Sequence, residues 1–194
     1  VDDDLFNITA DTGLVTFISP PDFETKLGGT GNDSNDYVIE VKATDNGSLE
    51  DTQTITISVT NVNDSTPAFS SSNTFSKAEG GTAVATLTGT DADGTTPTFS
   101  TTLAGTDAGD FELTTGGVLT FKATSDFETP VCGAQNNSNT CNITATITDG
   151  TNTSTQAITI TVTNENDNTP AFSSSSTFSK AEGGTAVATL TGTD

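Results

Sequence analysis

Carboxylates and carboxamides stand in five short motifs, and the motifs return in the same order further along the chain. Asp22-Phe23-Glu24 is answered by Asp126-Phe127-Glu128, and Asn61-Val62-Asn63-Asp64 by Asn164-Glu165-Asn166-Asp167. Asp45 is answered by Asp149, each closing an alternating stretch, and Glu79 by Glu182, each directly before Gly-Gly. Asp91-Ala92-Asp93 is answered by Asp194 alone. Such side chains supply the oxygens that a hard divalent cation takes, roughly six to eight of them for calcium. Successive residues of an extended segment face opposite sides, and residues i and i+2 share one. The patterns D-x-E and N-x-N-D can therefore serve two ions or wrap around one. Asp and Asn also populate solvated turns, and that reading suffices for any one motif. An ordered, recurring set favours the ion.

The elements that must position these groups follow from the repeat itself. The segment from Thr66 to Asp91 returns from Thr169 to Asp194, a shift of 103 residues (169 − 66), with Asn73 replaced by Ser176 as the sole change. A weaker copy links the first part of the chain to the middle: LFNITADTGLVTF from Leu5 matches DFELTTGGVLTF from Asp110, and ITISVTNVND from Ile55 matches ITITVTNEND from Ile158. Repetition on this scale marks an array of similar units. Residues 1–64 read as the later part of one domain, 65–167 as a complete domain, and 168–194 as the opening of a third.

Period-two alternation predicts strands. Tyr37, Ile39, Val41 and Ala43 fall on alternate positions, as do Ile55, Ile57 and Val59. In the middle unit Ala83, Ala85 and Leu87 are expected on one face and Val84, Thr86 and Thr88 on the other. Further strands are expected at Phe99, at Phe111–Leu113, at Val118–Phe121, along Ile143–Ile147 and along Ile158–Val162. Seven strands in about 100 residues suit an immunoglobulin-like sandwich. No convincing helix is found.

Composition narrows the function. With 26 acidic and 5 basic residues the formal net charge is -21. Nucleic acid and anionic membrane surfaces are excluded as partners, because both need clustered positive charge. No apolar run is long enough to span a bilayer. The chain has no histidine and one cysteine pair, which removes the common zinc and imidazole chemistries. Paired carboxylates can cleave glycosides, but here they recur with the repeat, as structural metal ligands would, so no enzyme is expected. Cys132 and Cys141 share an Asn-rich loop. A disulfide there suits an oxidising compartment, and two free thiols are the other reading. Sequons occur at Asn7, Asn32, Asn46, Asn136, Asn142 and Asn152. Asp107 has neither a motif role nor a visible partner in the repeat, so its loss is expected to matter less for ion binding than that of Asp126.

Taken in order, the motifs KAEGG (Glu79), TDADG (Asp91, Asp93), DFE (Asp126, Glu128), TITDG (Asp149) and NENDNTPAF (Asn164, Asn166, Asp167) resemble the cadherin family. The resemblance implies tandem Greek-key β-sandwiches joined by calcium ions into a stiff extracellular rod. It places Asp22, Glu24, Asn61, Asn63 and Asp64 with Asp91, Asp93 and Asp149 at a first junction. It places Glu79, Asp126, Glu128, Asn164, Asn166 and Asp167 with Asp194 at a second. Asn61 and Asn164 stand where the family usually has Asp, so one ion site is expected to be weaker. With no tryptophan, adhesion by tryptophan docking is not available. The Thr-rich, near-identical repeats look like the cadherin-like modules of large microbial surface proteins. The expected role is a calcium-rigidified structural or adhesive repeat at the cell surface, possessing no membrane insertion of its own and meeting neighbouring repeats head to tail, in the same chain or the next copy. Protein or glycan adhesion partners fit such a role. The alternative is a carbohydrate-binding module of a secreted polysaccharide-degrading enzyme, which would present exposed aromatics.

Overall fold

The Thr-, Val- and Ile-rich runs pair as antiparallel hairpins wherever Gly, Asn or Asp supplies the turn between them. The computed structural model describes residues 1–133 and 137–194; the sequon at Asn136 lies outside them. The first unit holds β1 (Phe6–Thr9) paired with β2 (Leu14–Phe17), and β3 (Asp36–Thr44) paired with β4 (Glu50–Ser58). The middle unit holds β5 (Ala68–Phe69), β6 (Thr74–Ala78), β7 (Ala83–Thr86), β8 (Gly89–Thr90), β9 (Thr98–Phe99), β10 (Phe111–Leu113), β11 (Val118–Phe121), β12 (Thr140–Thr148) and β13 (Thr153–Thr163). The last unit holds β14 (Ala171–Phe172) and β15 (Gly192–Thr193). The helical content among the described residues is two single 3-10 turns, Asp3–Leu5 and Ala108–Asp110.

The nine segments of the middle unit run as seven strands. β5 and β6 are one strand interrupted at Ser70–Asn73, and β7 and β8 are another, interrupted at Leu87–Thr88. One sheet has the order β10-β11-β7, with β8 carrying β5 at its end; the other has the order β6-β13-β12-β9. The first strand thus starts against β8 and crosses over to pair in parallel with β13. The faces between the sheets bury Val84, Leu87, Phe99, Phe111, Leu113, Leu119, Phe121, Ile143, Ala145, Ile147, Ile158, Ile160 and Val162, together with both cysteines. This is an all-β Greek-key sandwich.

One expected alternation is broken. Val84 and Leu87 both face the core, while Ala83 and Thr86 are exposed. The pairing of β11 with β7 shifts register between Leu119 and Thr120, and the Leu87 N–H turns to the Gly117 carbonyl at 2.8 Å. A bulge of this kind inserts an extra residue and reverses the facing of the residues beyond it.

The first and middle units repeat each other's core. Phe6 and Phe17 stack with ring centroids 4.4 Å apart, and Phe111 and Phe121 do so at 4.5 Å. Tyr37 stands edge-on to both rings of the first pair. At the matching position the middle unit has Cys141, bonded to Cys132 with the Cα atoms 5.0 Å apart. The two loops match through their bridges, Gly28 to Ser34 and Cys132 to Ser138.

The third unit shows what these strands need. Its β14 and β15 pair as β5 and β8 do. The residues equivalent to β6 and β7 form no strand there, although their sequence is identical. In the middle unit those segments pair with β13 and β11, which have no counterpart in 168–194. Leu190 is accordingly 59% exposed where its equivalent Leu87 is 1% exposed.

Candidate metal centre

The acidic motifs sit where strands end. Asp22 and Glu24 follow β2, the Asn61–Asp64 run follows β4, Asp91 and Asp93 follow β8, and Asp149 follows β12. Strand ends leave backbone groups and short polar side chains facing outward, and at the junction of two sandwiches they face one another.

Carboxylate oxygens of Glu24, Asp64 and Asp93 come together within 4.8 Å, and so do those of Asp91, Asp93 and Asp149. Asp93 belongs to both groups, so the two clusters share a wall. Asp93 also takes the Ser65 N–H at 2.8 Å, and its carbonyl accepts from Asn61 Nδ2 at 2.8 Å, which fixes the linker to the middle unit. The Asn63 amide nitrogen lies 3.4 Å from the Asp149 carbonyl and 3.1 Å from Thr151 Oγ1. Its oxygen faces Asp93 Oδ2 at 3.1 Å and Asp149 Oδ2 at 3.2 Å. Turned over, the amide would donate to both carboxylates and accept from Thr151 Oγ1 at 3.1 Å, so the orientation with three oxygens converging would be preferred only with a cation among them.

The electrostatics point the same way. Glu24 is pushed above the ordinary carboxylate range, first by desolvation and then by the neighbouring Asp93 and Asp22. Asp22 is lowered, chiefly by the Thr25 hydroxyl and N–H. At Asp149 burial acts to raise the pKa, but the N–H groups of Asn152 and Thr151 together outweigh it, and the net shift is downward. Buried oxygens Glu24 Oε1, Asp91 Oδ2 and Asp93 Oδ1 have no hydrogen-bond partner. Buried acceptors of this kind are costly unless something positive meets them. The residues fit a cation with hard, oxygen-only coordination, and Glu24, Asp64, Asp91, Asp93, Asp149 and Asn63 are those that could hold it. Asp22 and Asn61 stand beside the clusters: Asp22 is occupied in capping Glu24 and Thr25.

The second junction is partly assembled. Glu79, 9% exposed, groups with Asp126 and Glu128. It is held by the N–H groups of Phe127 and of Glu165, the latter at 2.8 Å. Asn164 Nδ2 donates to Glu128 Oε1 at 2.7 Å. Asn164, Asn166 and Asp194 line a cavity with Glu128, whereas Asp167 is exposed and outside both groupings.

Two features escaped the sequence reading. Asp107 does have a counterpart in the repeat: it is 2% exposed and accepts the N–H groups of Gly133 and Asn142, each at 2.6 Å. Its counterpart is Asp2, 7% exposed, which accepts from Val38 N–H at 2.7 Å. The acidic run Asp2-Asp3-Asp4 hid the match. Asn35 and Asn139 are the second feature: each donates Nδ2 to the carbonyl of the Phe inside a D-F-E motif, Phe23 at 3.0 Å and Phe127 at 2.9 Å. The repeated Ser-Asn pair before β3 and β12 was their signal. Exposed aromatics among the described residues are Phe172 and Phe178, whose equivalents Phe69 and Phe75 pack on the middle core. The middle unit therefore offers no aromatic platform for sugar stacking.

No family model matches the chain. A stretch of 67 residues, 34% of the chain, is 40% identical to part of Protocadherin Fat 1 of Homo sapiens and spans 1% of that protein's length. Among solved structures, human CDH23 EC21-23 matches with a TM-score of 0.66 at 20% identity, over 100% of this chain and 66% of that one. Protocadherin Gamma B2 extracellular cadherin domains 1-5 match with a TM-score of 0.62 at 24% identity, over 100% of this chain and 37% of that one. Mouse Cadherin-23 EC22-24 matches with a TM-score of 0.58 at 23% identity, over 84% and 51%. With the crossing first strand and the two sheets in place, these likenesses establish a cadherin-like β-sandwich fold.

Proposed function

We propose that the chain is a calcium-binding, calcium-rigidified segment of an extracellular array, serving as a structural or adhesive repeat of a surface or secreted protein. Its units are 1–64, 65–167 and 168–194, with ions held between successive units by ligands drawn from the fifteen side chains named from the sequence, the clustered ones first. The observation that carries this reading is the set of partnerless buried oxygens, Glu24 Oε1, Asp91 Oδ2 and Asp93 Oδ1, contributed by two units to one junction. A cation there would supply positive charge that the chain, at -21, lacks. Its binding would add stability to the docked arrangement by mass action. The Cys132–Cys141 disulfide fits an oxidising, extracellular setting. The head-to-tail neighbours in such an array are further repeats.

Small-angle scattering tests the proposal. Removing calcium should leave the carboxylates at the first junction mutually repelling, so chelator should broaden the distance distribution and change the radius of gyration while the β-sheet signal persists. Identical scattering with calcium and with chelator overturns the rod.

A further inference from the structure

Asn35 and Asn139 occupy the same place in successive units, just before β3 and β12. Each makes two bonds that join different segments. Asn35 Nδ2 donates to the Phe23 carbonyl, between Asp22 and Glu24, at 3.0 Å, and the Asn35 carbonyl accepts the Val59 N–H at 2.9 Å, directly before the Asn61–Asp64 run. Asn139 Nδ2 donates to the Phe127 carbonyl, between Asp126 and Glu128, at 2.9 Å, and the Asn139 carbonyl accepts the Val162 N–H at 2.8 Å, directly before the Asn164–Asp167 run. Asn35 Oδ1 and Asn139 Oδ1 are buried without partners. The unpaired buried oxygens are a cost, while the Nδ2 donors are satisfied.

We propose that Asn35 and Asn139 are positioning residues for the two ion junctions, each clamping the D-F-E segment to the strand that delivers the linker ligands. The inference rests on the calcium reading above. Groups that orient metal ligands from behind set affinity without touching the ion. Loss of the Nδ2 donor frees the Phe23 carbonyl, and with it the spacing between Glu24 and Asp64, which must converge within 4.8 Å on Asp93.

The test is a calcium titration of the full chain followed by backbone amide shifts, read at Asp64 and Ser65 for the first junction. Asn35→Ala and the isosteric Asn35→Asp should both weaken first-junction calcium by roughly tenfold or more. An added carboxylate acting by charge alone would tighten binding, so weakening in Asn35→Asp isolates the lost N–H. Amide exchange at Val59 should quicken in both variants in calcium-free buffer. Should either variant fail to fold, Asn139→Asp, read at Glu165 and Asp167, carries the same test on the second junction. Wild-type or tighter affinity in folded variants overturns the positioning role and leaves calcium binding intact. A wild-type chain without calcium-dependent shifts overturns the proposed function itself.

Discussion

Glu24 and Asp93 belong to different sandwiches, and their carboxylate oxygens stand within 4.8 Å of each other with neither Glu24 Oε1 nor Asp93 Oδ1 hydrogen-bonded. Like charges placed so close are unfavourable on their own. The contact becomes an asset once a divalent ion bridges it. Asp93 is also the group common to both clusters, which makes it the most sensitive single residue at the junction.

Asp93→Ala should therefore abolish both ion sites of the first junction, whereas Asp64→Ala or Asp91→Ala should impair one cluster each. Isothermal titration calorimetry distinguishes these outcomes by stoichiometry as well as affinity. Equal losses in Asp93→Ala and Asp64→Ala would contradict the shared-wall arrangement.

Asp107→Ala should destabilise the middle sandwich by about 1–3 kcal/mol, because it removes a buried carboxylate that takes part-buried hydrogen bonds from the N–H groups of Gly133 and Asn142. Urea unfolding in calcium-free buffer measures this. Asp126→Ala, at an exposed position, should leave calcium-free stability within about 0.5 kcal/mol of wild type. The reverse ranking would refute the buried role of Asp107.

Leu87 is fully buried in the middle core. Leu87→Ala should cost about 2–5 kcal/mol, as for other buried leucines. Urea denaturation of the variant against wild type measures this, and an unchanged midpoint would contradict the packing of Leu87 beyond the bulge.

The disulfide closes a loop of sequence separation 9, for which chain entropy alone predicts roughly 2–3 kcal/mol. Cys132→Ala/Cys141→Ala should lower the melting temperature of the middle unit and leave first-junction calcium affinity unchanged, since neither cysteine lies at that junction. Unreduced protein should resist thiol reagents; ready modification would count against the bond.

The strand plan was legible because alternation and turn residues agree from Ile143 to Ile147 and from Ile158 to Val162. The same was true of the sandwich class, which the repeat supports. Where alternation misled, at Val84 and Leu87, the cause is a bulge set by tertiary pairing with β11, and no local pattern encodes it. In the candidate site, Glu24, Asp64, Asp91, Asp93 and Asp149 could be picked out by their place in recurring motifs. Asp107 was hidden because its counterpart Asp2 sits in an acidic run, and Asn35 was signalled only by the repeated Ser-Asn pair; their roles lie in bonds to backbone atoms 12 to 35 residues away.

Anomalous-difference maps from crystals of the chain grown with calcium test the central claim most directly. The account predicts peaks among Glu24, Asp64 and Asp93 and among Asp91, Asp93 and Asp149, with Asn63 Oδ1 turned toward the second. Well-ordered density for these side chains without anomalous peaks between them, or with Asn63 donating to the Asp93 and Asp149 carboxylates instead, would contradict it.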